Sequence, residues 1–224
     1  MSCCCAPNCA ALEGTNKFFN TQARRSEKYF KKKGLRKEQK YLAAGIRQSG
    51  MREAEILEIG CGVGGLHLSL LKDSAAKATG FDISEKMIAT ARKLSAEMGL
   101  QDRAQYWRGD FVAMHNEAPV ADVTILDKVI CCYENAPELI ARSTAKTRRI
   151  YAVSYPRQNP FVKLVFRSTK FFFKLFRQAF QPYYHEPERI QKWIAEAGFE
   201  KVYENETFVW LIQIFERKMN GKTH

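Results

Sequence analysis

A carboxylate stands just before a cluster of glycines at one point of the chain, which reads Glu58-Ile-Gly60-Cys61-Gly62-Val-Gly64-Gly65. The apolar run before the glycines and the helix-like run after them predict a strand, a tight turn and the start of a helix. Glycine adopts the backbone angles of such a turn and lets the main chain approach a ligand, whose polar groups meet free N–H groups at the helix N-terminus. The stretch therefore predicts a binding loop for a nucleotide-like cofactor, formed by Gly60, Cys61 and Gly62.

The carboxylate indicates which cofactor this is. The glycines alone also satisfy G-x-G-x-x-G, the fingerprint of dinucleotide-binding proteins. Glu58, however, would repel a pyrophosphate and attract a cationic ammonium group. S-adenosylmethionine carries such an ammonium group, so we expect S-adenosylmethionine as the cofactor, with Glu58 beside the ammonium.

Two further carboxylates follow predicted strands. The strand at 77–81 leads into Asp82, 22 residues after Gly60, where a carboxylate can accept hydrogen bonds from ribose hydroxyls. The strand at 104–108 is followed by Asp110, which can accept from an adenine amino group. Each acid has a second interpretation, because Asp82 could cap a helix and Asp110 could serve a turn. Their placement at successive strand ends favours one adenosine site, which also includes Ile83, Gly109 and Phe111.

Together these motifs resemble the class I S-adenosylmethionine-dependent methyltransferases over about residues 52–217. The resemblance rests on Glu58-x-Gly60-x-Gly62, Phe81-Asp82-Ile-Ser84, Gly109-Asp110-Phe111 and Val123-Thr-Ile-Leu-Asp127. It implies an α/β fold with a doubly wound, Rossmann-like, seven-stranded sheet whose last strand is antiparallel. It also implies an S-adenosylmethionine-dependent enzyme, and it adds Asp127 to the cofactor site.

Alternating strand and helix signals along the rest of the chain are typical of such a sheet. We predict further strands at 120–126, 149–154, 201–207 and 208–216, the last two as a hairpin with almost no connector. Helices are predicted at 84–98, 137–146 and 187–197. Two units follow from this: residues 1–50, a cysteine-containing tail with a basic helical cap, and residues 51–224, a methyltransferase core with a helical lid over 157–186.

The segment at 16–46 is strongly basic, with ten Lys and Arg residues against Glu27 and Glu38. We predict two helices here, broken near Gly34. In the resembling fold such a piece covers the cofactor cleft and helps to enclose the substrate, so Phe18 and Tyr29 are candidate substrate contacts. A solvated basic face is the alternative for most of these charges.

A second basic stretch, residues 161–180, lies in the predicted lid. The spacing of its five charges places them on one face of a helix, while its other faces are rich in phenylalanine. Such a helix can lie in an anionic membrane interface or cover a large hydrophobic substrate. The alternative is an ordinary core-facing lid with a solvated edge. The five charges are Lys163, Arg167, Lys170, Lys174 and Arg177.

The formal net charge of +12 over 224 residues is compatible with nucleic acid, an anionic lipid surface or an acidic substrate. The residues after the fourth strand, 126–133, lack the Asn/Asp-Pro-Pro-aromatic motif of many methyltransferases that act on base nitrogens. Nucleic acid is therefore disfavoured as a partner. We see neither a secretory signal nor an apolar stretch of about 18 residues, so we expect a cytoplasmic location. Residues 161–180 could in addition bind the protein to a membrane surface.

Three segments resemble proteins grouped with the magnesium-protoporphyrin IX O-methyltransferases: Phe18-Phe-Asn-Thr21, Leu126 to Tyr133, and Tyr151 to Arg157. The porphyrin enzymes have Tyr-Phe-Asn in the first segment and His-Tyr-Pro after the fourth strand, and that Tyr and His are implicated in catalysis. Here Phe18 and a cysteine of the Cys131-Cys132 pair stand at those places, so both groups are missing. Methylation of a porphyrin carboxylate is thus an alternative to the main prediction.

Methyl transfer requires an acceptor aligned with the sulfonium and the loss of one proton. The candidate general base is His185, because histidine titrates near neutrality, although it could instead cap the next helix. Further candidate catalytic residues are Tyr133, Cys131 and Cys132, the two cysteines being alternatively small packing residues. Additional candidate substrate contacts are Lys128, Tyr155 and Arg157.

The four N-terminal cysteines have no paired Cys-x-x-Cys spacing, so no metal site is predicted; they are Cys3, Cys4, Cys5 and Cys9. We expect an enzyme that methylates oxygen or sulfur of a small molecule, which is hydrophobic, anionic or thiol-containing. The alternative from a different class is a basic module that binds membrane or nucleic acid and keeps a vestigial cofactor fold.

Overall fold

Seven strands form one sheet in the computed structural model, which describes residues 9–175, 180 and 182–218 and gives only the backbone for 9–12, 170, 171, 174 and 175. The sheet order is β3-β2-β1-β4-β5-β7-β6. Strands β1 to β5 are parallel, and β7 runs antiparallel to both β5 and β6. This confirms the predicted fold class. The strands are β1 (Glu55–Ile59), β2 (Lys77–Asp82), β3 (Ala104–Arg108), β4 (Ala121–Asp127), β5 (Thr147–Pro156), β6 (Phe199–Glu206) and β7 (Trp210–Arg217).

Two helices precede the first strand, and the other helices lie between successive strands. The break predicted near Gly34 and the helix predicted after Ser84 are confirmed: the Ser84 side chain accepts a hydrogen bond from the Met87 amide at 3.1 Å. The lid contains a long helix, as predicted, although residues 176–179 and 181 lie outside the described residues. The helices are α1 (Cys9–Lys33), α2 (Lys37–Gln48), α3 (Gly65–Asp73), α4 (Glu85–Glu97), α5 (Ala136–Ala145), α6 (Pro160–Leu175) and α7 (Pro187–Glu196), with a 3-10 turn at Ile130–Cys132.

The C-terminal hairpin differs in detail from the prediction. It was expected to have almost no connector, but a turn at 207–209 separates β6 from β7. The Thr207 amide donates to the Trp210 carbonyl at 2.8 Å, and the Trp210 amide donates to the Thr207 hydroxyl at 3.0 Å. The threonine side chain thus closes a turn that hydrophobicity alone does not reveal, because such local bonds do not depend on apolar periodicity.

Helices cover both faces of the sheet because its central strands are apolar on both sides. Ile56 packs into one core cluster and its neighbour Leu57 into the other, as alternation along a strand requires. On the first face, α2 buries Leu42, Ala43 and Ile46 completely. Helices α5 and α7 pack on the second face. The second helix of the predicted cap is therefore also part of the core.

The chain order reverses beside β1. From β1 the sheet grows outward through β2 and β3, and the chain then returns to β4 on the other side of β1. The loops after β1 and β4 therefore leave the sheet in opposite directions, which opens a crevice at its carboxyl edge. The predicted cofactor residues all lie in the last residues of strands, or just after them, at this edge.

Helix α1 lies across α4 and so reaches this edge. Lys31 Nζ lies 2.7 Å from a Glu97 oxygen and 3.2 Å from a Glu27 oxygen, so part of the basic face is paired. Closer to the sheet, the Ser84 hydroxyl donates to Asn20 Oδ1 at 2.8 Å. Because Ser84 follows β2 directly, this bond places α1 beside the end of that strand.

Candidate active site

A cavity of about 280 Å³ lies at the carboxyl edge of the sheet, between the strand ends and helices α1 and α2. Its volume is close to the lower limit of small-molecule sites, about 300 Å³. All ten residues predicted for the cofactor line it. They are Glu58, Gly60, Cys61, Gly62, Asp82, Ile83, Gly109, Asp110, Phe111 and Asp127.

The glycine loop after β1 could not be built from larger residues. Gly60 has φ +66°, and a Cβ atom there would lie 2.4 Å from Val129 Cγ2. The loop therefore depends on glycine both for its backbone angles and for its contact with the loop after β4. The Gly62 amide, expected to face a ligand, instead donates to Asp82 Oδ2 at 2.8 Å. The loop thus positions a carboxylate as well as shaping the cavity.

A buried chain of hydrogen bonds holds Glu58. His67 Nδ1 lies 2.5 Å from Glu58 Oε2, and the His67 amide donates to the same oxygen at 3.3 Å. On its other side, His67 Nε2 lies 3.0 Å from the Tyr106 hydroxyl. Burial raises the pKa of Glu58, and the bond from His67 opposes this shift. Among the described residues, the hydrogen bonds to Glu58 all go to Oε2.

The sequence analysis did not single out His67. It is fully buried in the first turn of α3 and fixes the carboxylate nine residues earlier. The only signal was a histidine in a leucine-rich run, Leu66 to Leu71. That signal is weak, because the position of the histidine on α3 relative to β1 depends on the loop geometry.

Asp82 and Asp110 are fixed in a similar way. Asp82 accepts from the Gly62 and Ser84 amides, both at 2.8 Å, and burial raises its pKa to about 6 against those bonds. Asp110 accepts from the Tyr133 hydroxyl, 3.0 Å from both carboxylate oxygens, and burial raises its pKa as well. Burial and Asp110 together raise the pKa of Tyr133. Tyr133 therefore lines the cavity as a hydrogen-bond donor to Asp110.

The end of β4 connects the sheet to the cap. Asp127 accepts from the Ser154 hydroxyl at 2.5 Å and from Gln39 Nε2, on α2, at 3.0 Å. The next residue, Lys128, has φ +61°, which is uncommon for a residue with a side chain. Its ammonium pairs with Glu38 and lies 3.7 Å from Asp127 Oδ2. Lys128 lines the cavity, as predicted, but its charge is already neutralised.

The two adjacent cysteines share one acceptor. The thiols of Cys131 and Cys132 both donate to the Lys128 carbonyl at 3.3 Å. Only Cys132 lines the cavity. The adjacent Cys131 thiol and desolvation hold the pKa of Cys132 well above the usual range. Cys132 therefore presents a protonated thiol to the cavity rather than a thiolate.

The structure places four other predicted residues outside the cavity lining. His185 Nε2 lies 2.9 Å from the Tyr133 carbonyl, and burial lowers the His185 pKa. Tyr155 is fully buried, with its hydroxyl on Gln213. Arg157 pairs with Glu206 at 3.0 Å. Phe18 packs in an aromatic cluster with Phe180, at 4.7 Å between ring centroids.

The cap contributes residues that the sequence analysis did not predict. Tyr29 lines the cavity as expected, and the Arg36 guanidinium stacks on its ring at 4.1 Å. Phe30 covers the glycine loop so closely that a Cβ atom at Gly65 would lie 2.9 Å from its ring. The new cap residues in the lining are Thr15, Phe19, Ser26, Phe30, Gly34, Arg36 and Gln39.

The structure does not describe the side chains of the four N-terminal cysteines. Cys3, Cys4 and Cys5 lie outside the described residues, as does the side chain of Cys9. Within residues 9–175, 180 and 182–218, no group of three or more His, Cys, Asp or Glu residues is arranged to hold a metal ion.

Comparison with known proteins agrees with the geometry of the cavity. Residues 56–153 match a protein family described as a methyltransferase domain. The chain is 32% identical over 83 residues to a sterol 24-C-methyltransferase of Gibberella zeae. This alignment covers 37% of this chain and 21% of that protein. It is 26% identical over 167 residues to the demethylmenaquinone methyltransferase of Chlorobaculum tepidum, and this alignment covers 68% of each chain. The chain thus spans about a fifth of the length of the curated sterol methyltransferases that it matches.

A solved structure has the same fold. The magnesium protoporphyrin IX methyltransferase from Synechocystis PCC 6803, solved with bound SAH, superimposes with a TM-score of 0.72 at 20% identity. The superposition covers 91% of this chain and 98% of that one. At this identity the likeness shows the fold. The methyltransferase-domain match and this shared fold agree with the predicted enzyme class and cofactor.

Proposed function

We propose that this chain, which has the class I S-adenosylmethionine-dependent methyltransferase fold and a methyltransferase domain, transfers a methyl group to a small, largely apolar acceptor. One observation carries the proposal: Glu58, Asp82 and Asp110 lie at three different strand ends and line one cavity. Three partly or fully buried carboxylates in one crevice are electrostatically costly unless a cationic, hydroxyl-bearing ligand compensates them.

The donor set of the cavity fits this cofactor. In this proposal Glu58 binds the ammonium group, Asp82 accepts from ribose hydroxyls, and Asp110 accepts from the adenine amino group. At Gly62 a Cβ atom would meet only Met87 Sδ at 4.0 Å, so the glycine loop leaves space beside its backbone at that residue. When bound, S-adenosylmethionine supplies a methyl group made electrophilic by its sulfonium. The chain itself binds, orients and shields the reactants.

The cap side of the cavity supports an apolar acceptor. Phe19, Tyr29 and Phe30 face the sheet across the cavity, with Val129 and Leu139 on the sheet side. Such walls exclude water and bind apolar rings or chains. The named relatives also act on largely apolar molecules, since their names give a sterol and demethylmenaquinone as acceptors. Transfer to oxygen or sulfur stays a prediction, as does a cytoplasmic location.

Alignment of the acceptor, rather than a dedicated base, is the catalytic contribution that we propose. Tyr133 donates to Asp110, Cys132 is held protonated, and Lys128 is paired, so these three lining residues are engaged. His185, Cys131, Tyr155 and Arg157 do not line the cavity, and we propose supporting roles for them. Methyl transfer to a nucleophile that loses its proton to solvent needs little else from the protein.

A porphyrin carboxylate is the second candidate acceptor, and Arg36 favours it. Arg36 lines the cavity, its guanidinium stacks on Tyr29, and its charge helps to lower the pKa of Glu38. Arginine binds carboxylates through two parallel hydrogen bonds. An acceptor with one carboxylate on an apolar body would satisfy both Arg36 and the aromatic wall.

Calorimetric titration with S-adenosylmethionine tests the proposal. We expect saturable binding, competition by S-adenosylhomocysteine, and loss of affinity on substitution of the strand-end carboxylates. Absence of binding at millimolar cofactor would instead support the vestigial module. Incubation with labelled cofactor and separate panels of sterols, quinones, porphyrins, phenols and thiols then identifies the acceptor. Transfer to porphyrins that is lost in Arg36→Gln would favour the second candidate.

A further inference from the structure

An apolar row on α6 faces solvent. Phe161, Leu164 and Val165 are 54%, 61% and 43% exposed, and Phe172, further along the helix, is 52% exposed. Spacings of three, four and seven residues place these side chains on one side of the helix. Beside them Phe208, in the turn between β6 and β7, is 65% exposed, with its ring centroid 5.6 Å from that of Phe161. A contiguous exposed apolar row of this kind marks an interaction surface.

Basic side chains adjoin this row, and the acids brought near it by other elements are Glu206, which pairs with Arg157, and Glu186 and Glu188 near Tyr184. Lys163 and Arg167 stand one helical turn apart on the adjoining side of α6, and no Asp or Glu occurs between Leu139 and His185. The sequence of α6 continues with Lys170 and Lys174, whose side chains are not among those described. A basic helix with an exposed apolar row suits an anionic membrane: apolar side chains enter the acyl boundary, and basic ones reach the headgroups.

The other side of α6 leads toward the cavity. The ring of Phe173 lies 6.1 Å from that of Phe180, which stacks on Phe18 at 4.7 Å. Phe180 also contacts Phe19 edge-on at 5.5 Å, and Phe19 lines the cavity. An aromatic cluster therefore joins the helix that carries the exposed row to the acceptor side of the cavity.

Charge favours a lipid surface over a second copy of the chain as the occupant of this row. Two copies that met through α6 would bring like charges together, whereas anionic headgroups would attract them. Within the part of the chain that the structure describes, no helix is long and apolar enough to cross a membrane. Contact would therefore be made along the membrane surface.

We propose that α6 together with Phe208 is a docking surface for an anionic membrane, which places the aromatic cluster and the cavity beside an acceptor dissolved in that membrane. Docking by itself requires only the exposed row and the positive charge. Delivery of an acceptor rests on the proposed function.

Vesicle flotation with the full chain tests the docking. We expect binding to phosphatidylcholine vesicles that contain phosphatidylglycerol, and weaker binding without it or at high salt, because salt screens exposed charges. Leu164→Ser with Val165→Ser should weaken binding roughly tenfold or more, since it removes two side chains from the apolar row. Val202→Ser is the matched control: it removes an exposed valine on β6, far along the chain from α6, and should leave binding unchanged.

The cofactor titration separates the outcomes. If a variant loses vesicle binding but still binds S-adenosylmethionine, it is folded and the row is the docking surface. Arg167→Glu provides a second variant, which should weaken binding only to anionic vesicles. Cofactor binding without any association with anionic vesicles would overturn the docking and leave the proposed function standing. Sedimentation that showed a dimer dissociated by Leu164→Ser would also overturn it, because a second copy would then cover the row.

Discussion

The sheet side and the cap side of the cavity are built differently. On the sheet side, Glu58, Asp82 and Asp110 are buried or half-buried, and each accepts at least two hydrogen bonds. On the cap side, Tyr29 and Phe30 contribute ring contacts with their neighbours. The sheet side is therefore preorganised for polar groups, while the cap side offers apolar surface.

In the proposed reaction the polar sheet side would bind the cofactor, and the apolar cap side would bind the acceptor. A buried carboxylate that left its partners would lose hydrogen bonds in a poorly solvated site, so the sheet side resists change. Ring contacts can shift at little cost, so the cap side can adapt to different acceptors. We expect substitutions on the sheet side to change stability and cofactor affinity strongly, and those on the cap side to change them little.

The largest effect is expected for His67→Ala. It would leave Glu58 buried without its principal partner, and breaking a buried pair in this way lowers the free energy of unfolding by about 3–5 kcal/mol. Denaturant unfolding measures the change. His115→Ala is the control, because this histidine is only partly buried. Equal losses for the two variants would show that the Glu58–His67 pair has no special structural role.

A large loss of cofactor affinity is expected for Asp82→Ala. The substitution removes the proposed ribose acceptor and leaves the Gly62 and Ser84 amides without their partner. Loss of hydrogen bonds to a charged group should weaken S-adenosylmethionine binding about 10- to 100-fold. Calorimetric titration provides the measurement, and Asp102→Ala, at an exposed loop acid, should behave like the unchanged chain. An unaltered affinity for Asp82→Ala would place the ribose elsewhere.

The pH dependence of binding should show the titration of Asp82. Its pKa is raised from 3.8 to about 6 in the folded chain, and the ionised form accepts better from ribose hydroxyls. Affinity should therefore fall about tenfold between pH 7 and pH 5. The contribution of Asp82 to stability should change with pH in the opposite sense to the cofactor affinity. The folded state holds more protons between these two pKa values, so the contribution of Asp82 to the free energy of unfolding decreases as pH rises from 3.8 to about 6.

Asp82→Asn tests this assignment, since it should flatten the pH dependence of both binding and stability. A profile that keeps its slope in the Asn variant would assign the titration to another group.

A smaller effect is expected for Tyr133→Phe. It removes one donor from Asp110 and keeps the ring, so cofactor affinity should fall about three- to tenfold. If Tyr133 only positions Asp110, the turnover rate at saturating cofactor should stay unchanged, as a labelled-methyl assay would show. A collapse of turnover with normal cofactor affinity would restore the catalytic role first predicted for Tyr133. Tyr203→Phe, at a partly buried tyrosine of β6 outside the cavity lining, provides the comparison variant and should leave cofactor affinity unchanged.

The smallest effect is expected on the cap side, for Gln39→Ala. The substitution removes the bond from α2 to Asp127, which keeps its bond from Ser154. Cofactor affinity should change by about twofold or less, since this part-buried hydrogen bond is one of two that Asp127 accepts. Hydrogen exchange in the first turn of α2 should become faster, because Gln39 also accepts from the Arg36 amide. A loss of cofactor affinity comparable to that of Asp82→Ala would contradict the division between the two sides.

Much of the sheet side could be predicted because its residues are local to strand ends. Parallel strands bring their carboxyl ends to one edge, so a carboxylate directly after each strand must lie near the others. The residues predicted to follow the strands were less predictable. The fifth strand was predicted to end at residue 154, but β5 continues to Pro156 and includes Tyr155. Alternation along the strand points Ser154 toward Asp127 and Tyr155 toward Gln213, on the opposite face.

The sequence by itself determined the strand-turn-helix units, the glycine loop and the three carboxylates that converge at the sheet edge, because each depends on short-range pattern and on the geometry that all parallel sheets share. Only the tertiary structure decided that His67 holds Glu58, that Gln39 of α2 reaches Asp127, and that the Phe18–Phe180 cluster joins α6 to the cavity. These contacts join residues whose relative position depends on how helices pack, and packing is set by the whole core rather than by any local stretch of sequence.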